Sequence, residues 1–270
     1  MYKRRFRNNV TVITGASSGI GRSLALGLAE AGAPLVLAAR SNERLTEVAT
    51  ECEARGGRAL VVPTDVTEPV HCQNLAERAV EHYGRIDTLV NNAGIAMIAR
   101  FDEVRELSLY ERIMRVNYLG SVYCTHSCLP YLKQSGGHIV VIASVAGRTG
   151  VPLYSAYSAS KHAMIGFFES IRIELKPAGV GVTLILPDFI SSGIHERGVN
   201  GEGGNVGMAH NVDYQRAMSP EKCARLCIRA MARRRREVYL SWRGRIGQWI
   251  KVAAPDTIDA LSKKVIDRGY

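Results

Sequence analysis

Tyr157 and Lys161 stand four residues apart in the string Ser155-Ala156-Tyr157-Ser158-Ala159-Ser160-Lys161. On a helix that spacing puts a phenol and an ammonium on one face. Only Ser and Ala lie between them, which leaves room for a bound molecule beside the pair. A phenol titrating at about 10 is a poor base at neutral pH. A nearby ammonium favours the phenolate, and an acid/base group works best near the operating pH. The pair by itself would also suit a solvated helix face, so its meaning depends on what accompanies it.

A second constellation lies at residues 14–21, TGASSGIG. Gly15, Gly19 and Gly21 follow a short β-branched run and open a helical one, with Ser17, Ser18 and Ile20 between them. Small residues let backbone approach a pyrophosphate, and a helix N-terminus supplies N–H groups and partial positive charge. The next apolar run ends in Ala39-Arg40. Enzymes that select NAD often place a carboxylate here, whereas an arginine can bind a 2′-phosphate with two hydrogen bonds. The expected cofactor is NADP(H).

Alternating apolar runs and helical periods must carry these groups. Strands are expected at Val10–Ile13, Leu35–Ala38, Ala59–Val62, Ile86–Val90, Ile139–Ala143, Val180–Leu186 and Val238–Ser241. The helical stretches run 20–31, 41–55, 67–83, 107–134, 154–176 and 220–233. Strands that read as continuous apolar runs are buried on both faces. Strand–helix alternation predicts a parallel, doubly wound α/β sheet of the Rossmann type, about seven strands with helices on both faces. Residues 1–241 form one domain in this reading. Residues 188–218, rich in Gly and polar residues, form a flap over substrate, and 242–270 form a helical extension.

Composition narrows the class. The chain has 270 residues, 46% of them hydrophobic, enough for a substantial core. No apolar run is long enough to span a bilayer, and no apolar segment follows the basic residues 1–10, so a secretory signal is not expected there. Six cysteines without a CxxC pair read as buried, reduced thiols rather than a metal site, pointing to the cytoplasm. The net charge of +10 concentrates at Lys3-Arg4-Arg5-Arg7 and Arg233–Arg236. No nucleic-acid motif accompanies these clusters, so they read as solvated charge rather than a nucleic-acid surface.

Taken together, TGASSGIG, the NNAG string at 91–94, Asn117, Ser144 and the Tyr157/Lys161 pair resemble the short-chain dehydrogenase/reductase family, in one order and spacing over residues 8 to 241. The resemblance implies roles. Tyr157 would be the general acid/base. Lys161 would lower the phenol pKa and hold the nicotinamide ribose. Ser144 would hydrogen-bond the reacting oxygen, and Asn117 would hold a relay water behind the lysine. Asp65 and Val66 would line the adenine pocket, and Asn91, Ala93 and Gly94 would support the cofactor. Pro187, Ile190 and Ser192 would contact its nicotinamide end. The family also implies a homo-dimer or homo-tetramer, built on the helices at 107–134 and 154–176.

One departure stands out: where the family commonly has Pro-Gly, this chain has Pro187-Asp188. Asp188 either points to solvent and caps the next turn or selects a polar or cationic substrate. Val145, Ala146, Val151, Tyr154 and Phe189 would flank the reacting carbon, which suits a hydrophobic ketone, aldehyde or secondary alcohol. The tail carries Trp242, Ile246, Trp249 and Ile250 on one side of a helical pattern that Pro255 interrupts. It is expected to pack against protein in preference to a membrane surface. The principal reading is a carbonyl/alcohol oxidoreductase. The competing one is a redox sensor or interaction protein that binds NADP(H) without turnover.

Overall fold

The computed structural model describes residues 5–194, 197–206 and 217–267. Seven parallel strands form one sheet in the order β3-β2-β1-β4-β5-β6-β7. They are β1 (Thr11–Thr14), β2 (Pro34–Ala39), β3 (Arg58–Pro63), β4 (Thr88–Asn91), β5 (His138–Ile142), β6 (Gly181–Leu186) and β7 (Glu237–Tyr239). The chain crosses from one half of the sheet to the other between β1 and β4, with Val12 paired to both Val36 and Leu89. In open α/β sheets a crevice forms at that switch, beyond the carboxyl ends of the strands.

The two faces carry separate apolar layers, which is why the central strands have no polar side. One layer packs α1 (Gly19–Ala29), α2 (Asn42–Ala54) and α7 (Pro220–Ala232) through Leu24, Leu28, Leu45, Val48, Cys227 and Ile228. α1 and α7 approach so closely at Gly27 that a Cβ there would stand 2.7 Å from Ile228 Cδ1. The other layer packs α3 (Pro69–Tyr83), α5 (Gly120–Ser135) and α6 (Ser155–Glu174) through Leu75, Cys128, Leu132, Ile165 and Phe168. All six cysteines are buried and unpaired, with Cys72 and Cys124 sulfurs 3.5 Å apart. Among the described residues no helix is long and apolar enough to cross a membrane.

Three details differ from the sequence expectation. The stretch 107–134 is not one helix: α4 (Ser108–Met114) passes through a π-helical turn at Arg115–Leu119 into α5. The wider turn carries Asn117 inward, the kind of irregularity found at functional positions. β7 ends at Tyr239, so Ser241 caps a helix instead of closing a strand. The tail forms two helices, α8 (Trp242–Ala253) and α9 (Pro255–Asp267), joined at the proline.

The basic clusters are partly structural. Arg234 donates to the carbonyls of Gly136 and Gly137 at 2.7 and 3.2 Å, closing the end of α5. Arg5 donates to the carbonyl of Ala232 at the end of α7. Lys3 and Arg4 lie outside the described residues.

Candidate active site

A cleft of about 1340 Å³ opens where the strands end. At one end lies the glycine turn. Gly15 and Gly19 have φ of +65° and +53°, left-handed values that favour glycine. A Cβ on Gly19 would stand 2.8 Å from the carbonyl of Ser192, and one on Gly21 would stand 2.2 Å from that of Gly15. The turn is therefore a cradle that side chains would fill. No side chain caps the N-terminus of α1, and its first turn holds no acidic residue. Such an end takes a phosphate.

Ser17, Ser18, Gly19 and Ile20 line this end of the cleft, with Ala93, Gly94, Pro187, Ile190 and Ser192 opposite. Gly21 stays behind the turn. Asn91 does not line the cleft itself: its amide donates to Thr125 Oγ1 at 2.9 Å, toward α5, where it can anchor the end of β4. Asn92 lines the cleft instead. Its amide donates to the carbonyls of Thr14 and Gly15 at 2.9 and 3.2 Å, and its backbone N–H donates to Thr14 Oγ1. Asn91 ends β4 and Asn92 follows it, and successive side chains of extended backbone leave on opposite sides.

Arg40 lines the cleft beyond β2, and so does Arg44 from the first turns of α2. The second arginine was not singled out from sequence: Arg40 lies before the helix and Arg44 in its first turn, so no periodicity links the two. Asp65 and Val66 line the same end. Burial pushes the Asp65 carboxyl up, but two hydrogen bonds from Thr67 and the charge of Arg40 hold it below the usual range.

Ser144, Tyr157 and Lys161 converge at the other end. Ser144 follows β5, and its hydroxyl accepts from Ala146 N–H at 3.1 Å. Tyr157 enters from the first turn of α6 and hydrogen-bonds Ser144. Burial pushes its phenol up to about 12, with the Ser144 bond pulling the other way. Lys161 is buried, and burial lowers its ammonium to about 8. Its Nζ donates to the carbonyl of Ile142 at 2.9 Å. In the protein alone the phenol is set by burial and the Ser144 hydrogen bond.

Asn117 stands behind this group. Its Oδ1 accepts from Ile95 N–H at 2.8 Å, and its amide donates to the carbonyl of Ile95 at 3.0 Å and to Ser160 Oγ at 2.9 Å. It thereby ties the loop after β4 to α6, the helix that carries Tyr157 and Lys161. Leu153, just before α6, has φ of +70° and its carbonyl accepts from Ala99 N–H at 3.0 Å. A branched residue in that conformation is strained, and such strain gathers at functional sites.

Val145, Ala146, Val151, Tyr154 and Phe189 line the cleft beside this group. The flap is pinned where it is described: Val199 exchanges backbone bonds with Ala96 and Ile98, and Ile190 pairs with Met218. Residues 195–196 and 207–216 of the flap fall outside the described residues. The tail supplies a wall that was not foreseen, made of Arg243, Gly244, Gly247 and Gln248 from α8 and Ile258, Leu261 and Ser262 from α9. α8 meets the cleft with its small and polar side; Trp242 and Trp249 are 70% and 68% exposed on the other. Among the described residues no group of His, Cys, Asp or Glu could hold a metal.

Comparison with known proteins agrees with this geometry. The profile of the short chain dehydrogenase family matches residues 9–202. An 11-beta-hydroxysteroid dehydrogenase-like protein 4A of Arabidopsis thaliana is 36% identical over 264 residues, covering 96% of this chain and 85% of the relative. A dehydrogenase/reductase SDR family protein 7-like of Dictyostelium discoideum is 34% identical, with 96% and 82% covered. Among solved structures, a short chain dehydrogenase/reductase of Burkholderia phymatum in complex with NAD superimposes with a TM-score of 0.81. It is 28% identical, with 92% of this chain and 94% of that one covered. An alcohol dehydrogenase of Thermococcus sibiricus complexed with 5-hydroxy-NADP gives 0.75 at 26% identity, with 86% and 95% covered.

Proposed function

This chain belongs to the short chain dehydrogenase family, oxidoreductases acting on CH–OH and C=O groups, and from that premise we propose that it is an NADP(H)-dependent reductase of a hydrophobic ketone. The observation that carries the proposal is the meeting of Ser144, Tyr157 and Lys161 at one end of a cleft whose other end is a glycine cradle. Bound nicotinamide would supply or accept the hydride.

The chain's own residues do the rest. The α1 N-terminus and the Gly15–Gly21 turn would hold the pyrophosphate, and Arg40 and Arg44 the 2′-phosphate. Lys161 would hold the ribose by its ammonium. Ser144 would donate to the substrate carbonyl oxygen and orient it. Tyr157 would give its proton to that oxygen as charge develops there. A phenol held protonated suits that direction, and the phenolate left behind regains its proton from solvent. In the reverse direction the positive charge of oxidised nicotinamide would favour phenolate. Asn117 would keep α6 in register with the loop after β4.

Val145, Val151, Tyr154, Phe189 and Leu261 give the substrate end an apolar lining, which favours a steroid- or lipid-like ketone. We assign residues 1–241 to the catalytic domain and 242–270 to an extension that shapes the substrate end. The six unpaired thiols fit a reducing compartment such as the cytoplasm. A homo-dimer or homo-tetramer through α5 and α6 is the assembly the family resemblance implies. The test is a panel of ketones and alcohols followed at the NADPH absorbance band. Tyr157→Phe should lose turnover by more than about 100-fold while retaining NADPH affinity. Undiminished turnover in that variant would reject the assignment.

A further inference from the structure

Asp188, half-buried at the end of β6, is hydrogen-bonded to the tail rather than capping its own turn. Its Oδ2 accepts a hydrogen bond from Ser241 Oγ at 2.8 Å. The same Ser241 oxygen accepts from Gly244 N–H at 2.9 Å, as the N-cap of α8. A hydroxyl has one proton and two lone pairs, so this serine serves both partners at once. A carboxylate at the end of β6 is thereby linked, through one side chain, to the first turn of α8. A negative charge there also complements the positive end of the helix.

The rest of α8 is lightly held. None of its residues is buried. Besides its contact with α9, it is held by a hydrogen bond from Tyr239 to Gln248, one from Lys251 to the carbonyl of Arg148 at 2.7 Å, and close approach at Gly244. A Cβ on Gly244 would stand 2.6 Å from Val145 Cγ1, so the helix lies against the residue that follows Ser144. Elements with few buried apolar contacts open most easily. A wall of the substrate cleft thus rests on a few polar contacts, and one of them is made by Asp188, in the strand-end segment that also supplies Pro187 and Ile190 to the cleft.

We propose that Asp188 is a positioning residue that latches α8 through Ser241 and so sets the shape of the substrate end. This rests on the oxidoreductase reading for its kinetic consequence, but not for its structural one. Without the latch, α8 swings away from Val145 and the cleft widens. Substrate binding weakens while the Ser144–Tyr157 pair is left in place.

The two tryptophans of the chain, Trp242 and Trp249, both lie on α8, so emission excited beyond the absorption of the tyrosines reports this helix alone. The experiment uses the full chain with Asp188→Gly, Asp188→Asn and Ser241→Ala, and reads tryptophan anisotropy, tryptic cleavage at Arg243, Arg245 and Lys251, and kinetics with NADPH and the best ketone. In Asp188→Gly and Ser241→Ala, cleavage in α8 should quicken and anisotropy fall. KM for the ketone should rise about tenfold, the effect of losing a hydrogen bond to a charged group, with kcat within about twofold. Asp188→Asn, which retains an acceptor, should restore most of the wild-type behaviour. Wild-type anisotropy and cleavage in Asp188→Gly would overturn the latch, whatever the activity. A loss of kcat at constant KM would overturn the positioning role. A wild-type protein that turns over no ketone would refute the oxidoreductase reading, and the fluorescence and cleavage data would still decide the latch.

Discussion

The Lys161 ammonium lies 5.6 Å from the centre of the Tyr157 ring and gives its hydrogen bond to the carbonyl of Ile142. The cation is close enough to influence the phenol but is tied to the end of β5. It is also an expensive group to bury. With its folded value lowered to about 8 by desolvation, Lys161 is protonated at neutral pH at the cost of stability. Lys161→Met should therefore abolish turnover and raise the unfolding free energy at pH 7, by on the order of 2 kcal/mol. The sign changes the comparison with pH. Between about 8 and 10.5 the unfolded chain keeps a proton the native state has released, so wild-type stability rises and the gap narrows. Urea unfolding at pH 7 and pH 9.5 checks both statements. A variant less stable than wild type at pH 7 would contradict them.

The alkaline limb of the rate profile should belong to Lys161. Its charge is lost as pH rises through about 8, whereas Tyr157 keeps its proton to about 12. In the free protein, kcat/KM for ketone reduction should fall with a midpoint near 8. Arginine does not titrate in this range, so in Lys161→Arg the midpoint should move up by more than about one unit. An unmoved midpoint would assign the limb to another group.

Cofactor choice should rest on the two arginines beyond β2. Arg40→Asp places a carboxylate where a 2′-phosphate would lie. kcat/KM with NADPH should drop about 100-fold, while that with NADH holds or improves. Arg44→Ala should give a smaller loss in the same direction. A wild-type protein that prefers NADH would end this assignment.

Acid stability should depend on His138. Its ring is buried at the start of β5, with Nε2 2.8 Å from Thr183 Oγ1, and burial together with the charge of Arg234 lowers it to about 3. Below about 6.5 the unfolded chain binds a proton that the native state refuses, so stability falls as pH falls. Between pH 6.5 and 5 the loss should be about 2 kcal/mol, and His138→Gln should remove most of it. Equal acid sensitivity in the variant would exclude His138 as the cause.

Much of this protein was written locally. Short β-branched and apolar runs such as Val10–Ile13 and Leu35–Ala38, alternating with helical periods, suit a sheet covered on both faces, so the doubly wound sheet followed from the sequence pattern. The glycines at 15, 19 and 21 required a turn that backbone alone could make. Tyr157 and Lys161 needed only one turn of helix to come together. These features depend on residues near one another in the chain, where spacing and conformation are tightly linked.

Tertiary structure decided the features that depend on distant partners. Asn91 and Asn92 read alike in the string, and only the extended backbone at the end of β4 turned one toward Thr125 and the other toward Gly15. The π turn that carries Asn117 inward leaves no mark in composition; what the sequence does not show is the partners it meets there, the backbone of Ile95 and the hydroxyl of Ser160. Burial, not neighbouring charge, set the titration of Tyr157 and Lys161, and burial is a property of the assembled cleft. Asp188 and Ser241 are 53 residues apart in sequence, and α8 turned its glycines inward and its tryptophans outward. Periodicity locates an apolar stripe, but which side of a helix meets the protein is fixed by the surface waiting for it.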